Sequence, residues 1–391
     1  MVSERDPRIL SPLRQAASKG KATTFCVTGA GNGGLAMAGH LGIKGFQVSL
    51  YNRTDDRLAG ARWHGGIEVE GEINGFGPVR IATSDIEEAV QGADVVMVVT
   101  PATAHASLAR DMAPFLKDGQ IVLLNPGRTG GALEFRKVLV DMKICARPVI
   151  AEAQTFIYAS RALNRHKAHI YRIKNEVPIA TLPSYWIPET LAVIRQAFPQ
   201  FTAGGNVLST SMENIGAVFH PALTILNAGW IEETKGNFEY YLQGITPSVA
   251  LVLAKIDEER LDVARALGVR SVSAREWLYL SYDSPGKDLH EAIHNTTAYR
   301  GINAPPSIAH RYIWEDIPMS LVPIVSIGSV LGVPTPTIEM IVRLGSLLHG
   351  RDYAAEGRTA ERLGLAGLSL KEIHRIVADS DELDSPNGGT P

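Results

Sequence analysis

The sequence predicts an α/β domain followed by an all-α domain. Its 391 residues are more than one hydrophobic core usually holds, which favours two domains. Short β-branched runs alternate with helical patterns from Thr23 to about Phe201, and helical patterns dominate after Gly204. The sequence thus predicts a flexible N-terminal arm (1–21), the α/β domain (22–203), the all-α domain (204–377) and a flexible tail (378–391).

Five short apolar runs in the first domain predict β-strands: TFCVTG, QVSLYN, VVMVVT, IVLLNP and PVIAEA. The segments between them, such as GGLAMAGHLGIKG and ATAHASLARDMAPFL, carry apolar residues at a spacing of three and four, as amphipathic helices do. This alternation is typical of right-handed βαβ units. We therefore expect a parallel sheet with helices on both faces.

Helical patterns with recognisable ends dominate the second domain. One segment has Thr246 as its N-cap, Pro247 at the first helical position and Gly268 as a stop signal. The segment TPTIEMIVRLGSLLHG predicts another helix, which ends before Gly350. These ends support an all-α second domain.

Composition and charge favour a cytoplasmic protein that binds small molecules. The net charge of −3 gives no reason to expect a nucleic acid or a membrane as partner. The two cysteines, Cys26 and Cys145, are predicted to be buried thiols rather than a disulfide, which fits a reducing compartment. No window of about 18 apolar residues indicates a membrane helix. The scattered His and Cys residues show no metal-ligand spacing.

Three closely spaced glycines join the first predicted strand to a helix. Gly29, Gly31 and Gly34 form a G-x-G-x-x-G motif, with Asn32 and Gly33 in the same loop. The first glycine permits a tight turn, the second lets a pyrophosphate approach the backbone, and the third lets the helix pack on the strand. A purely structural turn is the alternative, because glycines punctuate many loops. The position between strand and helix favours a Rossmann-like dinucleotide-binding domain.

The end of the second predicted strand favours NADP(H) over NAD(H). An acidic residue at this place usually binds the adenosine ribose hydroxyls of NAD, whereas this sequence has Asn52, Arg53 and Thr54. Arg53 offers a planar guanidinium group for a phosphate, and its neighbours can add hydrogen bonds. Asp55 and Asp56 keep NAD(H) open, because a small shift in register would bring a carboxylate to the ribose.

Small and polar residues follow the later predicted strands, at the sheet edge where open α/β sheets bind ligands. Thr100, Pro101 and Ala102 follow the third strand and are predicted to contact the cofactor. Asn125 follows the fourth strand and can both donate and accept hydrogen bonds. Glu152 ends the fifth strand, where a structural ion pair and a contact with a substrate ammonium group are equally open.

Two segments of the second domain carry titratable side chains among apolar residues. His220 lies in GAVFHPALTIL, directly before Pro221, and Arg311 and Asp316 lie five apart in RYIWEDIP. Each residue alone is also compatible with a structural role, as a core histidine, a buried ion pair or part of a solvated loop. Sequence spacing by itself does not bring His220 near Asp316.

Several segments together resemble the octopine/nopaline (opine) dehydrogenase family, most closely its bacterial carboxyethylnorvaline dehydrogenases. They include GAGNGGLAMAGHLGIKG, LLNPGRTGGALEFRKVL, NVLSTSMENIGAVFHPALTILNA, YYLQGITPSV and AYRGINAPPSIAHRYIWEDIPMSLVP. The glycine motif is generic to dinucleotide-binding folds, whereas the FHP and RYIWED segments are more specific to the family. The resemblance runs from about Thr24 to Gly364.

The resemblance implies a reductive condensation. The amine of an amino acid, or a related amine, joins the carbonyl of a 2-oxo acid such as pyruvate, and nicotinamide hydride reduces the resulting imine. His220 would be the general acid/base, facing the nicotinamide, and Asp316 its orienting carboxylate. Arg311 would bind a substrate carboxylate, with Asn125 and Glu152 as nearby polar contacts. The cofactor is not implied, because several NAD-using members carry an acidic residue where this chain has YNRT.

Two other functions remain open from the sequence. A ketopantoate-type or hydroxyacid NADP reductase shares the architecture, but such enzymes typically use a catalytic lysine in the helical domain. A non-catalytic NADP-binding regulatory protein would bind the dinucleotide without turnover. Long apolar helical patterns also leave a homodimer open.

Overall fold

The structure, a computed structural model, describes residues 5–378. These form two compact units, here called the first unit (5–127, 131–210 and 372–378) and the second unit (128–130 and 211–371). The sequence places the domain boundary at 203/204, whereas the structure divides the chain after Thr210 and assigns the short segment 128–130 to the second unit. Apart from residue 378, the predicted flexible tail lies outside the described residues.

The strands, in chain order, are β1 Thr24–Thr28, β2 Gln47–Tyr51, β3 Gly66–Gly71, β4 Gly75–Pro78, β5 Ile81–Thr83, β6 Val95–Val98, β7 Ile121–Leu124, β8 Val149–Ala153, β9 Tyr158–Ala162, β10 Lys167–Ile173, β11 Val177–Leu182 and β12 Phe201–Ala203. The helices are α1 Pro7–Ser18, α2 Asn32–Ile43, α3 Ala59–His64, α4 Ile86–Val90, α5 His105–Met112, α6 Gly131–Asp141, α7 Ile187–Ile194, α8 Val207–Met212, α9 Ile215–Leu226, α10 Ala228–Thr234, α11 Pro247–Ala266, α12 Ala274–Tyr282, α13 Leu289–Asn295, α14 Arg311–Trp314, α15 Val322–Leu331, α16 Pro336–His349, α17 Tyr353–Glu356, α18 Ala360–Leu363 and α19 Leu370–Ala378.

An eight-stranded sheet forms the centre of the first unit, in the order β12-β11-β8-β7-β6-β1-β2-β5. Its strand pairs are parallel except for β11 and β8, which run antiparallel. The five predicted strands are β1, β2, β6, β7 and β8, and the last four residues of each are buried. The predicted α/β class is therefore confirmed, because parallel strands buried on both faces read as continuous apolar runs.

A second sheet in the first unit was not predicted from the sequence. It has four strands in the order β4-β3-β10-β9 and packs against α2. Its strands contain several glycines and charged residues, as in GIEVEG and GFGP, and such residues have low β propensity. Helix α2 also packs on β1 and β2, and it is apolar all round because it lies between two sheets.

The N-terminal segment is ordered from residue 7, so the predicted flexible arm is wrong there. Asp6 caps α1 by accepting a hydrogen bond from the backbone N–H of Arg8, and α1 packs on α7. Ile9, Leu13 and Ala16 are buried along one face of the helix. The scattered charges of this segment hid an apolar stripe at a spacing of four and three.

The described part of the second unit is helical, apart from one isolated β-bridge. The predicted ends are confirmed for two helices. Helix α11 begins at Pro247 with Thr246 as its N-cap, and Gly268 follows its end with φ of 69°. Helix α16 ends before Gly350, which has φ of 59°.

One stretch of the second unit, Arg311–Leu331, is long and apolar enough to cross a membrane by length and composition. It consists of α14, a π-helical turn at Ile317–Leu321, and α15. Of its apolar window, 72% is buried inside the protein.

The two cysteines occupy different environments. Cys26 is buried in β1 as predicted, and burial raises the pKa of its thiol to about 12. Cys145 is exposed, so the prediction of a second buried thiol is wrong. It lies in the connection between α6 and β8, and such connections run over the protein surface.

Candidate functional site

The glycine turn has the geometry that a dinucleotide-binding loop requires. Gly29 has φ of 103°, a conformation that side chains rarely adopt. A Cβ on Gly34 would overlap the carbonyl group of Gly29, so only glycine lets α2 approach the turn this closely. Gly31 is the N-cap of α2, no side chain caps this end, and a Cβ there would meet no atom within 4 Å. The first N–H groups of α2 are therefore available to an anion.

A cleft of about 310 Å³ opens beside this turn. Most of the predicted cofactor residues line it: Gly29, Gly31, Asn52, Arg53, Thr54, Thr100 and Pro101. The cleft thus runs along the carboxyl ends of β1, β2 and β6, where open α/β sheets bind their ligands.

The other predicted cofactor residues support the cleft rather than line it. The Asn32 side chain accepts a hydrogen bond from the backbone N–H of Ala162 at 2.9 Å and so fixes the start of α2. A Cβ on Gly33 would come within 3 Å of the Phe156 ring. Gly34 is buried in α2, and Ala102 is buried after Pro101.

Hydrogen bonds arrange the loop that follows β2. Asn52 Oδ1 accepts from the backbone N–H of Ala30 at 3.0 Å, which joins this loop to the glycine turn. Asn52 Nδ2 donates to Thr54 Oγ1 at 2.9 Å. Both predicted polar residues therefore help to fix the loop in which Arg53 lies.

The charges of this loop are divided between paired carboxylates and unpaired guanidinium groups. Asp55 forms an ion pair with Arg62 at 2.6 Å, and Asp56 forms one with Arg165. Within residues 5–378, the exposed guanidinium groups of Arg53 and Arg57 make no ion pair or hydrogen bond, and both residues line the cleft. The cleft therefore offers two free cations at the end of β2.

Among the buried polar atoms of the first unit that lack a hydrogen-bond partner in the described part of the chain, two belong to predicted site residues. Thr100 Oγ1 lies at the cleft. Asn125 Nδ2 donates to the carbonyl of Leu123 at 2.9 Å, but Asn125 Oδ1 receives no donor. Burying a polar atom without a partner is costly, so these two atoms fit contacts with a bound ligand.

Glu152 is fully buried at the end of β8. Its Oε2 accepts from the backbone N–H of Ala132, in the first turn of α6, at 2.8 Å. Its Oε1 accepts from Thr210 Oγ1 at 2.6 Å. Both carboxylate oxygens are thus engaged within the first unit, and the predicted substrate contact stays a prediction.

In the second unit, the structure brings His220 and Asp316 together although 96 residues separate them. His220 Nδ1 lies 2.8 Å from Asp316 Oδ2, and because the carboxylate can only accept, this nitrogen carries the proton. Asp316 is fully buried, whereas the His220 side chain is 19% exposed. No hydrogen bond within the described residues engages Nε2, which is therefore free to exchange a proton.

Aromatic rings and hydroxyl groups hold the imidazole in place. The Tyr312 ring stacks on His220 with the ring centroids 4.0 Å apart. The carbonyl oxygen of His220 accepts from Thr224 Oγ1 at 2.7 Å and from the Tyr240 hydroxyl at 3.0 Å. The stacking on Tyr312 and the hydrogen bond to Asp316 therefore orient the ring, and the two hydroxyl groups fix the backbone that carries it.

Arg311 lies one helical turn from this pair. Its Nη2 is 2.9 Å from Glu315 Oε2, and its side chain is 48% exposed. A guanidinium group that is fixed at one nitrogen and open at the others can bind a carboxylate. The predicted role in substrate binding is compatible with this position.

The sequence interpretation missed Arg128, whose side chain is buried beside the pair. Arg128 Nη1 lies 3.2 Å from Asp316 Oδ1, and its Nε lies 3.5 Å from Glu315 Oε1. The signal was present in NPGRTGG, where an arginine stands among glycines directly after a buried strand. Without coordinates, that residue reads as part of a surface loop.

The ionisation of Asp316 follows from these neighbours. Burial raises the pKa of this carboxyl, but the charge of Arg128 and the hydrogen bond from His220 outweigh burial. The pKa of Asp316 therefore lies below its ordinary value of 3.8. Near neutral pH, the imidazole faces an ionised carboxylate, as in other histidine–carboxylate pairs that exchange protons.

A glycine turn that opens a dinucleotide cleft, together with a proton-exchanging histidine, defines an NAD(P)-dependent oxidoreductase. Comparison with known proteins supports both parts. Residues 24–125 match the NAD binding domain of 6-phosphogluconate dehydrogenase. Residues 203–349 match the alpha-helical domain of NAD/NADP octopine/nopaline dehydrogenase. An opine dehydrogenase of Arthrobacter sp. (strain 1C) is 39% identical over 90% of this chain and 98% of its own length.

The chain therefore belongs to the octopine/nopaline (opine) dehydrogenase family, and the predicted resemblance is confirmed. Two solved structures share its fold. An octopine dehydrogenase with NADH and L-arginine has a TM-score of 0.76 and 23% identity, and the match covers 91% of this chain and 98% of the other. A yersinopine dehydrogenase with bound NADP⁺ has a TM-score of 0.67 and 15% identity, and covers 92% and 98%.

Proposed function

We propose that this protein joins the amine of an amino acid, or a related amine, to a 2-oxo acid such as pyruvate and reduces the imine with NADPH. The balanced reaction consumes the amine, the oxo acid, NADPH and one proton, and gives a secondary-amine dicarboxylic acid when the amine is an amino acid, together with NADP⁺ and water. The observation that carries the proposal is the 2.8 Å hydrogen bond between His220 and Asp316 in a member of the opine dehydrogenase family.

His220 supplies the proton exchange that imine formation requires. After the amine adds to the carbonyl carbon, the hydroxyl group leaves as water only if it receives a proton. The Nε2 of the protonated imidazole donates that proton, and Asp316 stabilises the imidazolium through Nδ1. The bound dinucleotide supplies the hydride that reduces the imine carbon.

Arg311 and Asn125 are proposed to bind substrate groups. The free nitrogens of the Arg311 guanidinium group bind the carboxylate of the oxo acid, while Glu315 holds Nη2. Asn125 contributes the buried Oδ1 that lacks a donor. Glu152 acts mainly as a structural acceptor, because both of its oxygens already receive hydrogen bonds.

The preferred cofactor is proposed to be NADP(H). Arg53 and Arg57 are free to bind a 2′-phosphate, whereas Asp55 and Asp56, which would favour NAD(H), are held in ion pairs. The initial rate should be at least about tenfold higher with NADPH than with NADH at equal, subsaturating concentration, since each 1.4 kcal/mol corresponds to a tenfold effect. A preference for NADH would refute this assignment.

The function is tested by an amine screen. Each amine is mixed with pyruvate or another 2-oxo acid and NADPH, and the loss of NADPH absorbance is followed with and without the amine. Oxidation that requires the amine supports the proposal. Oxidation of NADPH by the oxo acid alone would indicate a ketopantoate-type or hydroxyacid reductase, and dinucleotide binding without oxidation for any pair would indicate a regulatory protein.

We also propose a cytoplasmic location and a homodimer. The free thiols of Cys26 and Cys145 fit a reducing compartment. Met340, Leu344 and Leu347 are exposed on α16 at a spacing of four and three, and a second subunit would cover this apolar face. Light scattering should give twice the chain mass of 42.2 kDa, and a monomer mass would refute the dimer.

A further inference from the structure

Arg128 stands on a backbone that is fixed at several points. The segment that carries it belongs to the second unit, and Arg128 itself has φ of 60°, which is uncommon for a residue other than glycine. The backbone N–H of Gly130 donates to Ser211 Oγ at 2.9 Å, and the carbonyl of Thr129 accepts from Arg358 Nη1 at 3.1 Å. This unfavourable conformation directs the Arg128 side chain into the interior.

The guanidinium group of Arg128 contacts the carboxylate of the pair, and it borders Gly216 as the imidazole does. Nη1 is 3.2 Å from Asp316 Oδ1, on the oxygen that does not face His220. A Cβ on Gly216 would lie 3.3 Å from Arg128 Nη1 and 3.3 Å from His220 Cε1. Because Gly216 has no side chain, Arg128 and the His220 ring can both lie close to this residue of α9.

The two carboxylates beside Arg128 need a positive charge close to them. Glu315 and Asp316 are adjacent, their side chains are almost completely buried, and both lie within ion-pair distance of Arg128. Two neighbouring buried carboxylates do not both ionise unless a positive charge compensates them. Arg128 is the residue that touches both.

We propose that Arg128 is a positioning residue of the proposed reaction: it holds Asp316 ionised and oriented toward His220. It acts through Asp316, since its Nε and Nη1 face the two carboxylates rather than a substrate. The inference rests on the proposed function of His220.

The other groups around the imidazole do not compete for this role. The charged and titratable side chains near His220 are Arg128, Tyr240, His310, Arg311, Tyr312, Glu315 and Asp316. Burial raises the pKa of Tyr240 and Tyr312, and burial together with Arg311 lowers the pKa of His310. These three side chains are therefore neutral near pH 7. Arg311 is also a cation, but its side chain is 48% exposed and its ion pair is with Glu315. Arg128, whose side chain is 11% exposed, is the cation in ion-pair contact with Asp316.

The direct test follows the protonation of Asp316 rather than activity. The carboxyl carbon resonances of ¹³C-aspartate-labelled protein are titrated, and the Asp316 signal is assigned by its loss in Asp316→Asn. In Arg128→Gln, the pKa of Asp316 should rise, because the charge of Arg128 no longer opposes the effect of burial. Arg128→Lys keeps the charge and should leave the Asp316 titration close to that of the wild type. An unshifted Asp316 titration in folded R128Q, or equal shifts in both variants, would overturn the proposal.

Kinetics provide the second readout. In R128Q, kcat should fall at least about tenfold while the KM values for NADPH and the oxo acid stay the same, because Arg128 does not touch a substrate. A rise in the KM for the oxo acid with unchanged kcat would instead make Arg128 a carboxylate-binding residue and refute the proposal. If the enzyme shows no amine-dependent turnover at all, the proposed function fails, and the titration still decides whether Arg128 controls the pair.

A charge-balanced variant covers the case in which R128Q does not fold. The double variant R128Q/E315Q removes one cation and one anion, and its thermal unfolding is compared with that of E315Q. The double variant should have a kcat at least about tenfold below that of E315Q, because Asp316 still lacks Arg128 as its partner. Equal turnover of the two would overturn the proposal.

Discussion

Replacing Asp316 by asparagine removes the charge that faces His220 without changing the size of the side chain. In the wild-type protein, the carboxylate accepts the Nδ1 proton at 2.8 Å, which leaves a lone pair on Nε2. An asparagine can turn its amide N–H toward Nδ1. The imidazole would then carry its proton on Nε2 and could no longer accept one there.

Two contributions set the expected loss of kcat in D316N. A hydrogen bond to a charged group contributes about 1.5–3 kcal/mol, which corresponds to about a 10- to 100-fold change in rate. Acid–base catalysis by a positioned side chain contributes about 10²–10⁴-fold, and the wrong tautomer forfeits part of it. We expect kcat of D316N to fall about 10³-fold, with the KM for NADPH unchanged.

The assay is NADPH oxidation at saturating amine and oxo acid, with Asp257→Asn as the matched control. Asp257 is also a buried acid paired with an arginine, because its Oδ1 accepts from Arg260 Nη2 at 2.6 Å, but its partner is not a histidine. Both variants should lose stability, and only D316N should lose kcat per folded molecule. A kcat of D316N within tenfold of the wild type, or an equal loss in D257N, would show that Asp316 does not support proton exchange by His220.

Unfolding at acid pH tests whether Asp316 is ionised in the folded protein. Because the pKa of Asp316 is lower in the folded protein than its ordinary value of 3.8, its ionised form stabilises the fold above that pH. This stabilisation is lost as the pH falls through the lower, folded value. The difference in the free energy of unfolding between wild type and D316N should therefore shrink below about pH 3.8, and a constant difference would contradict the ionised state of Asp316.

Four further substitutions test the cofactor and substrate assignments. Arg53→Ala should raise the KM for NADPH at least about tenfold and leave that for NADH unchanged, and equal effects on both would argue against a phosphate contact. Gly34→Ala should destabilise the fold by at least about 1–3 kcal/mol in urea unfolding, because its Cβ overlaps Gly29, whereas Gly31→Ala should stay folded and weaken NADPH binding. Arg311→Ala should chiefly raise the KM for the oxo acid, and an unchanged KM would indicate a structural arginine.

Some of the fold was readable from the sequence because burial imposes a simple pattern. Strands β1, β6 and β7 of the large sheet are buried, largely apolar runs, and the sequence predicted them, whereas the short, less buried β5 of the same sheet was not predicted. The second sheet escaped prediction because its strands depend on packing against α2 rather than on their own propensity. Helix α1 escaped because the charged residues in and around it hid the three buried side chains that hold it.

The candidate functional site could likewise be predicted from the sequence only in part. The glycine motif could be predicted because Gly29 and Gly34 satisfy local demands of a turn and a close contact. The pairing of His220 with Asp316 rests on the packing of segments 96 residues apart, so only family resemblance pointed to it. Arg128 could not be found either way, since its contacts depend on a backbone that turns the side chain inward at one residue.

The proposed function depends above all on His220 as the residue that exchanges protons in an amine-dependent reduction. The amine-dependent kcat of His220→Ala, measured together with its affinity for NADPH by fluorescence titration, tests this role. We expect a kcat at least about 10²-fold below the wild type, with NADPH affinity within about twofold. Turnover close to that of the wild type in a folded, NADPH-binding variant would contradict it.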